Sequence, residues 1–195
     1  MSLKLLFSEL AELYSGSRPI EVYASEALRN AEVEDVTFGE TGPLASPFLE
    51  VFAREDAHPI CRLIASLPFN WAPPQTSQDP LYIQHSKPKA HVELLGPGGL
   101  IKSDEVRLGL YGMMPNAEYG NRTHPAEETY IMLAGDSYWS RDNKPYSLHL
   151  PGDRSHHPSM MPHASMTKGT AFMSVYVWYG DISVSNYVYE GIHHR

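Results

Sequence analysis

The second half of the sequence is a series of short segments rich in β-branched and aromatic residues, and this series limits the fold more than any other feature. The segments read HVELLGP, EVRLGLYGMMP, ETYIMLAG, YSLHLPG and TAFMSVYVWYGDISVSNYVY, and each is bounded by Gly, Pro, Asn or Asp. Such segments are typical of strands separated by turns. In the last segment every second position, from Phe172 through Ser174 and Tyr176 to Trp178, falls on one face of a strand. Short strands at this spacing predict an antiparallel sandwich or barrel, a mainly β fold.

The first 70 residues have a helical pattern instead. The segments EVYASEALRNA, SPFLEVFARE and HPICRLIASL are predicted to be short helices. A proline-rich stretch, residues 68–80, separates this part from the strands. We therefore predict a helical extension over residues 1–70 and a β-rich part over residues 80–195, together forming one structural domain. The apolar residues that predict the first helix recur every three or four positions: Leu3, Leu6, Phe7, Leu10, Leu13 and Tyr14.

Charge and composition argue against several classes of protein. The net charge is −8, and no run of lysine or arginine appears, which argues against binding to nucleic acid or to an anionic membrane surface. No apolar run approaches the ~20 residues that span a bilayer, and the N-terminus does not resemble a signal peptide, so we expect a cytoplasmic protein without membrane association. The one cysteine, Cys61, excludes an internal disulfide and is predicted to be a buried thiol.

The stretch NRTHPAEETYIMLAG, residues 121–135, carries the first candidate site residues. Glu128 and Tyr130 are two positions apart, so they share one face of a strand. His124 has the same parity and joins them if the strand stays regular past Pro125, whereas Glu127 points to the other face and is predicted to be solvated. Imidazole and carboxylate on one face indicate a metal site that needs a further ligand from a facing strand.

A second stretch, GDRSHHPSMMPHASMT over residues 152–167, offers that ligand. His163 leads into a β-like run and is our preferred choice. His156 and His157 are competitors, but they follow PGD in what reads as a turn. Histidine and carboxylate together suit one divalent transition metal: Zn²⁺, Fe²⁺, Mn²⁺, Ni²⁺ or Co²⁺.

The two stretches resemble the paired motifs of the cupin superfamily, which implies a cupin barrel, also called a double-stranded β-helix or jelly roll. Three positions depart from the cupin motifs, and the first of them removes a usual metal ligand. Tyr130 is the obvious substitute for that ligand. The departures are Arg122 for the first histidine, Met160 for a glycine and Thr167 for an asparagine. The matching positions are His124, Glu128 and Gly135 in the first motif, and Gly152, Pro158 and His163 in the second.

The combination of His124, Glu128, Tyr130 and His163 is similar to the ligand set of the cupin-type dimethylsulfoniopropionate lyases, in particular the Q type. The resemblance implies β-elimination of dimethylsulfoniopropionate to dimethyl sulfide and acrylate, with one divalent metal and no organic cofactor. It also implies a tyrosine general base. We prefer Tyr119 to Tyr130 for this role, because a phenolate coordinated to a metal is a weaker base than one merely close to it.

The substrate implied by this resemblance carries a sulfonium at one end and a carboxylate at the other. Aromatic faces attract such cations, and we expect Trp178, with Tyr176 on the same strand, to form a wall of the sulfonium site. Arg122 is a candidate for holding the carboxylate, although an ion pair on the surface with Glu118 or Glu127 is the more common role for such an arginine.

Two other functions remain open at the level of sequence. One is an Fe(II)-dependent cupin dioxygenase, against which the tyrosine ligand and the missing first histidine argue. The other is a non-catalytic cupin that binds a metabolite. The sequence leaves the oligomeric state open between a monomer and a homodimer.

Overall fold

The computed structural model describes residues 2–192, so the last three residues of the predicted β-rich part lie outside the described range. Five helices precede the strands: α1 (Leu3–Leu13), α2 (Pro19–Asn30), α3 (Ser46–Phe52), α4 (Ile60–Ser66) and α5 (Pro80–Ser86). Ten strands follow: β1 (Lys89–Leu95), β2 (Val106–Met113), β3 (Glu118–Thr123), β4 (Glu127–Gly135), β5 (Ser137–Arg141), β6 (Ser147–His149), β7 (Arg154–His157), β8 (His163–Met166), β9 (Phe172–Tyr179) and β10 (Val188–Gly191).

The strands form two antiparallel sheets of five strands each. The first sheet has the order β1-β2-β9-β4-β7, and the second has the order β10-β3-β8-β5-β6. Their inner faces share one aromatic cluster, with Tyr130 and Tyr176 from the first sheet and Tyr119 and Trp139 from the second. The predicted fold class is therefore confirmed: a mainly β cupin barrel with a helical N-terminal extension.

The two faces of the first sheet have different environments. Ile131 and Leu133 on β4 and Val175 on β9 pack into a core together with the helices. The alternate residues of the same strands point into the barrel, where Tyr130 lies opposite Tyr176 in the β4–β9 register. The helical layer thus covers the outer face, and the inner face remains available for a site.

The helices begin where the sequence supplies caps or prolines. Ser2 accepts a hydrogen bond from the Leu5 backbone N–H at 3.3 Å and caps α1, and Pro19 opens α2. Helix α5 was not predicted, since its short sequence PLYIQHS follows the proline-rich stretch directly. Asp79 caps it by accepting from the N–H groups of Leu81 and Tyr82.

Cys61 is completely buried in α4, as predicted. Burial raises the pKa of its thiol to about 12, so the reactive thiolate form is disfavoured. Within residues 2–192, no helix combines the length and apolar character needed to cross a membrane.

Candidate active site

Three of the predicted metal ligands come together inside the barrel. The ligand atoms of His124, Glu128 and His163 lie within 4.8 Å of one another, and all three side chains are buried. Oε2 of Glu128 is 3.3 Å from Nε2 of His124 and 3.1 Å from Nε2 of His163. Glu128 is on β4 and His163 on β8, so the cluster joins the two sheets.

His124 reaches this cluster by a different route from the one predicted. The strand does not stay regular past Pro125, because β3 ends at Thr123 and β4 begins at Glu127. These two strands belong to opposite sheets, so the chain turns a corner at residues 124–126. The His124 carbonyl accepts a hydrogen bond from the Met160 N–H at 2.9 Å, which ties this corner to the loop before β8.

Met160 adopts a backbone conformation that suits glycine. Its φ is +60°, in the left-handed region, at the position where the cupin motif has a glycine. A methionine there costs about 1–2 kcal/mol relative to an unstrained residue. The loop therefore keeps the backbone shape of the motif although the residue type has changed.

The hydrogen bonds of the two histidines fix the direction of their lone pairs. Nδ1 of His124 lies 3.1 Å from the Ala126 carbonyl, and Nδ1 of His163 lies 2.8 Å from the Met161 carbonyl. A carbonyl only accepts, so in the neutral rings both hydrogens belong on Nδ1 and both Nε2 lone pairs face the Glu128 carboxylate. Burial lowers the pKa of His163 well below its usual value, which favours the neutral ring. Its Nε2 has no hydrogen-bond partner among the described residues. Two lone pairs facing an anion repel it unless a cation lies between them, so the donor set fits a divalent metal.

His157 also belongs to this site, and the sequence did not assign it there. His156 and His157 lie in strand β7 and not in a turn, so that part of the sequence interpretation is wrong. His157 pairs with Glu128 across the β4–β7 ladder, and its Nδ1 is 3.3 Å from Oε2 of Glu128. Ser155 contacts its other nitrogen at 2.9 Å, and burial lowers the pKa of His157 to about 4. His156 points the other way, to Thr129 and Glu127.

Trp178 contacts the other oxygen of the Glu128 carboxylate. Its indole N–H donates to Oε1 of Glu128 at 2.5 Å. Its ring stacks on His124 with the ring centres 4.1 Å apart. Both interactions orient groups of the cluster, a positioning role that the sequence did not suggest. A face of the indole also lines the cavity described below.

The two tyrosines predicted for catalysis occupy different positions around the cluster. Tyr130 follows Glu128 on the inner face of β4, and burial and the nearby Glu128 raise the pKa of its phenol well above the usual value. Tyr119 lies on β3 outside the His–Glu cluster, and burial and Tyr187 raise the pKa of its phenol as well. The hydroxyl groups of Tyr119 and Tyr187 are in hydrogen-bond contact.

Arg122 is buried, so the surface ion pair favoured by the sequence is wrong. Only 1% of this residue is exposed. Its guanidinium lies 3.9 Å from the centre of the Tyr119 ring and donates to the His163 carbonyl at 3.4 Å. Nη2 has no hydrogen-bond partner within the described residues. Glu118 and Glu127, the two acids considered as ion-pair partners of Arg122, contact other side chains. Glu118 accepts a hydrogen bond from Tyr146, and Glu127 faces His156.

One cavity connects these groups to the surface. Its volume is about 630 Å³, and its wall includes polar and aromatic side chains of both sheets. Tyr176 lies in this wall with its hydroxyl 2.7 Å from Nε2 of His91. The structure thus brings every predicted site residue into the cavity wall except His124 and His163, both of which contact the Glu128 carboxylate. The predicted residues that line it are Tyr119, Arg122, Glu128, Tyr130, Tyr176 and Trp178.

Comparisons with known proteins identify the family to which the chain is similar. The family model of dimethylsulfoniopropionate lyase matches residues 21–173. The curated dimethylsulfoniopropionate lyase DddQ of Ruegeria pomeroyi is 36% identical over 92 residues, which cover 47% of this chain and 46% of that protein. The aligned part therefore spans less than half of the curated relative.

Two solved structures share the fold over nearly their whole length. The crystal structure of DMSP lyase DddQ from Ruegeria pomeroyi DSS-3 superimposes with a TM-score of 0.68 and 24% identity, covering 98% of both chains. A structure among those of the DMSP lyases RdDddP and RnDddQII gives a TM-score of 0.65 and 21% identity, covering 96% of this chain and 97% of the other. The resemblance inferred from the two sequence motifs is confirmed.

Proposed function

The chain belongs to the dimethylsulfoniopropionate lyase family, a family of carbon–sulfur lyases, and we propose that it cleaves dimethylsulfoniopropionate by β-elimination to dimethyl sulfide and acrylate. The observation that supports the proposal most is the convergence of two imidazole lone pairs on the carboxylate of Glu128, which itself lines a cavity. Several phenols share that cavity with Arg122, whose Nη2 has no hydrogen-bond partner in the described part of the chain. This set suits a small substrate with an anionic and a cationic end.

We further propose that His124, Glu128 and His163 hold one divalent transition metal, with Tyr130 as the fourth ligand. Zn²⁺, Fe²⁺, Mn²⁺, Ni²⁺ and Co²⁺ all accept these donors. Such an ion supplies Lewis acidity toward the substrate carboxylate, which makes the Cα–H more acidic. Elimination is redox-neutral, so we expect no organic cofactor.

We propose that Arg122 binds the substrate carboxylate. It is a buried cation whose Nη2 lacks a partner among residues 2–192, and it lines the cavity. A buried unpaired charge is costly, and an incoming carboxylate removes that cost through charge-assisted hydrogen bonds. Binding at Arg122 would fix the anionic end of the substrate and direct the sulfonium toward the rest of the cavity.

Tyr119 is our proposed general base. As a phenolate it takes the Cα proton, the electron pair of that bond forms the Cα–Cβ double bond, and the Cβ–S pair leaves with sulfur. Dimethyl sulfide departs as a neutral thioether, so no group has to protonate it. Burial raises the pKa of the Tyr119 phenol and so disfavours a phenolate, but the Arg122 guanidinium opposes this effect. The guanidinium lies 3.9 Å from the centre of the Tyr119 ring.

The sulfonium end needs aromatic surface. Trp178 and Tyr176 line the cavity on β9, two positions apart. We propose that they form the wall of the sulfonium site, where each ring face contributes about 0.5–2 kcal/mol. Trp178 is held rigidly by Glu128 and His124, so its ring is oriented before the substrate arrives.

Headspace gas chromatography of dimethyl sulfide tests the proposal directly. Metal-loaded protein should release dimethyl sulfide, chelator should abolish the release, and added divalent metal should restore it. Tyr119→Phe should lower kcat by the ~10²–10⁴ typical of a lost general base while metal content stays normal. Tyr130→Phe should lower both metal content and rate. If Tyr119→Phe keeps its rate while Tyr130→Phe loses it with metal bound, Tyr130 is the base.

The same assay separates the two alternative functions. A cupin dioxygenase would require oxygen, whereas the lyase turns over equally well without it. A metabolite-binding cupin would bind substrate and release no product. Family membership favours the lyase over both. A cytoplasmic location and a monomeric or homodimeric state without nucleic-acid or membrane partners remain our predictions from the sequence.

A further inference from the structure

The segment that follows the last long strand brings a second phenol to the proposed base. The hydroxyl oxygens of Tyr119 and Tyr187 are in hydrogen-bond contact. Tyr187 lies outside residues 21–173, the part of the chain that the family model matches. It also lines the cavity. A role for Tyr187 is therefore not implied by the family match and has to be argued from its contacts.

Strand pairing fixes the position of this segment. Strand β10 pairs with β3, and Tyr189 lies opposite Arg122 in the register. Tyr187 and Tyr189 are two positions apart and so face the same side of an extended chain. At Gly120 a Cβ atom would lie 2.1 Å from the Gly191 carbonyl oxygen, so glycine permits the close approach of the two backbones.

Tyr189 anchors the segment without touching the hydroxyl of Tyr119. Its own hydroxyl accepts from the Gly120 N–H at 3.1 Å and contacts Nδ1 of His85 at 2.7 Å. Tyr187 is thus held next to a paired strand and an anchored tyrosine. Its ring is parallel to those of His124 and Trp178, with centres 5.9 Å and 6.3 Å away. It therefore spans the space between the base and the metal-binding cluster.

We propose that Tyr187 is a positioning residue that aims the oxygen of Tyr119 at the substrate. This inference rests on the proposed function, in which Tyr119 removes the Cα proton. A phenol can donate one hydrogen bond. Tyr187 donates its O–H to the phenolate oxygen of Tyr119, which occupies one lone pair and leaves another directed into the cavity. After Tyr119 has taken the Cα proton, the same contact persists between two neutral phenols, so Tyr187 itself transfers no proton.

Tyr187→Phe tests this role by removing one oxygen atom and keeping the ring. Hydrogen bonds to charged groups are among the stronger ones in proteins, and we expect kcat to fall about 10- to 100-fold. KM should stay near the wild-type value, because the substrate contacts are not removed. A rise in KM with unchanged kcat would mean that Tyr187 only contacts the substrate, and the positioning role would be abandoned.

Tyr189→Phe is the matched control in the same segment. It also loses a hydroxyl with two partners, but neither partner is the hydroxyl of Tyr119. We expect it to lower kcat much less than Tyr187→Phe. Equal losses of kcat would show that the segment acts only through its packing, and would overturn the inference.

Carbon NMR of protein labelled at the Cζ of tyrosine gives a readout that needs no activity. The Tyr119 signal is identified by its loss in Tyr119→Phe. In metal-free protein this signal should move in Tyr187→Phe and stay in place in Tyr189→Phe. An unchanged Tyr119 signal in Tyr187→Phe would refute the contact. If wild-type protein released no dimethyl sulfide, the proposed function would fail, and these spectra would still decide whether Tyr187 positions Tyr119.

Discussion

Replacing Glu128 by glutamine separates the contribution of this side chain to metal binding from its contribution to the fold. The exchange keeps the shape and removes the negative charge. Oε2 lies 3.3 Å and 3.1 Å from the Nε2 atoms of His124 and His163, whose lone pairs face it. A glutamine amide at this place has two hydrogens, so it can donate to two of the three imidazole nitrogens around this position, those of His124, His157 and His163. Its oxygen can still accept the Trp178 N–H.

We therefore expect this substitution to stabilise the protein, whereas most substitutions of buried residues destabilise it. Each new hydrogen bond contributes about 1 kcal/mol, so metal-free Glu128→Gln should be more stable than metal-free wild type by about 1–2 kcal/mol. For a chain of this size, 1 kcal/mol corresponds to about 2–4 °C in Tm. Metal at ~100 times its Kd should stabilise wild type by about 2.7 kcal/mol, and so raise its Tm by about 5–11 °C. The variant should show little of this rise, since the single anionic residue of the His–Glu cluster is gone.

Differential scanning calorimetry with chelator and with added Zn²⁺ or Mn²⁺ measures both effects, and elemental analysis reports the metal content. Glu127→Gln is the matched control, because Glu127 is next in sequence and faces His156 outside the cluster. It should keep the rise in Tm with metal. The reasoning is refuted if metal-free Glu128→Gln melts several degrees below metal-free wild type, or if it retains the wild-type response to metal.

Three further outcomes follow from the same geometry. His163→Ala should remove the metal in elemental analysis, whereas His156→Ala should leave it in place, because His156 faces Glu127 and Thr129; the opposite result would contradict the ligand assignment. Arg122→Met should raise KM at least about tenfold with a smaller change in kcat, since a buried charge-assisted contact to the substrate carboxylate is lost; an unchanged KM in steady-state kinetics would exclude that contact. Metal-free protein should lose stability on acidification, because the folded pKa of His157 is about 4 while its ordinary value is 6.5, so the unfolded chain takes up a proton first. The protonation of His157 alone should lower the free energy of unfolding by about 2 kcal/mol between about pH 7 and about pH 5, as measured by urea titrations. His157→Gln should make this pH dependence weaker. An equal slope in the variant would rule His157 out as its source.

The local pattern of the sequence was enough to predict a mainly β fold and part of the central cluster. Period-two alternation depends only on strand geometry, so Glu128 and Tyr130 had to share a face wherever β4 was placed. The resemblance to the paired cupin motifs then supported His124 and His163. Those residues do meet in the structure, although His124 arrives from a corner between the sheets.

Other features depended on strand pairing between distant parts of the chain. Strand β7 is only four residues long and ends before Pro158, so its local pattern read as a turn. Its pairing with β4 places His157 opposite Glu128. A helix as short as α5, Pro80–Ser86, likewise gave too weak a periodic signal beside the proline-rich stretch.

The burial of Arg122 and the position of Tyr187 depend on the tertiary structure alone. An arginine beside acidic residues reads as a surface ion pair, since charged side chains are rarely buried without partners. Here Arg122 is buried in the second sheet, where β10 pairs with its strand and the Tyr119 ring lies against its guanidinium. The hydroxyl of Tyr187 meets that of Tyr119 across 68 positions of sequence. Local periodicity carries no information over such a separation, because only the closure of the barrel brings these strands side by side.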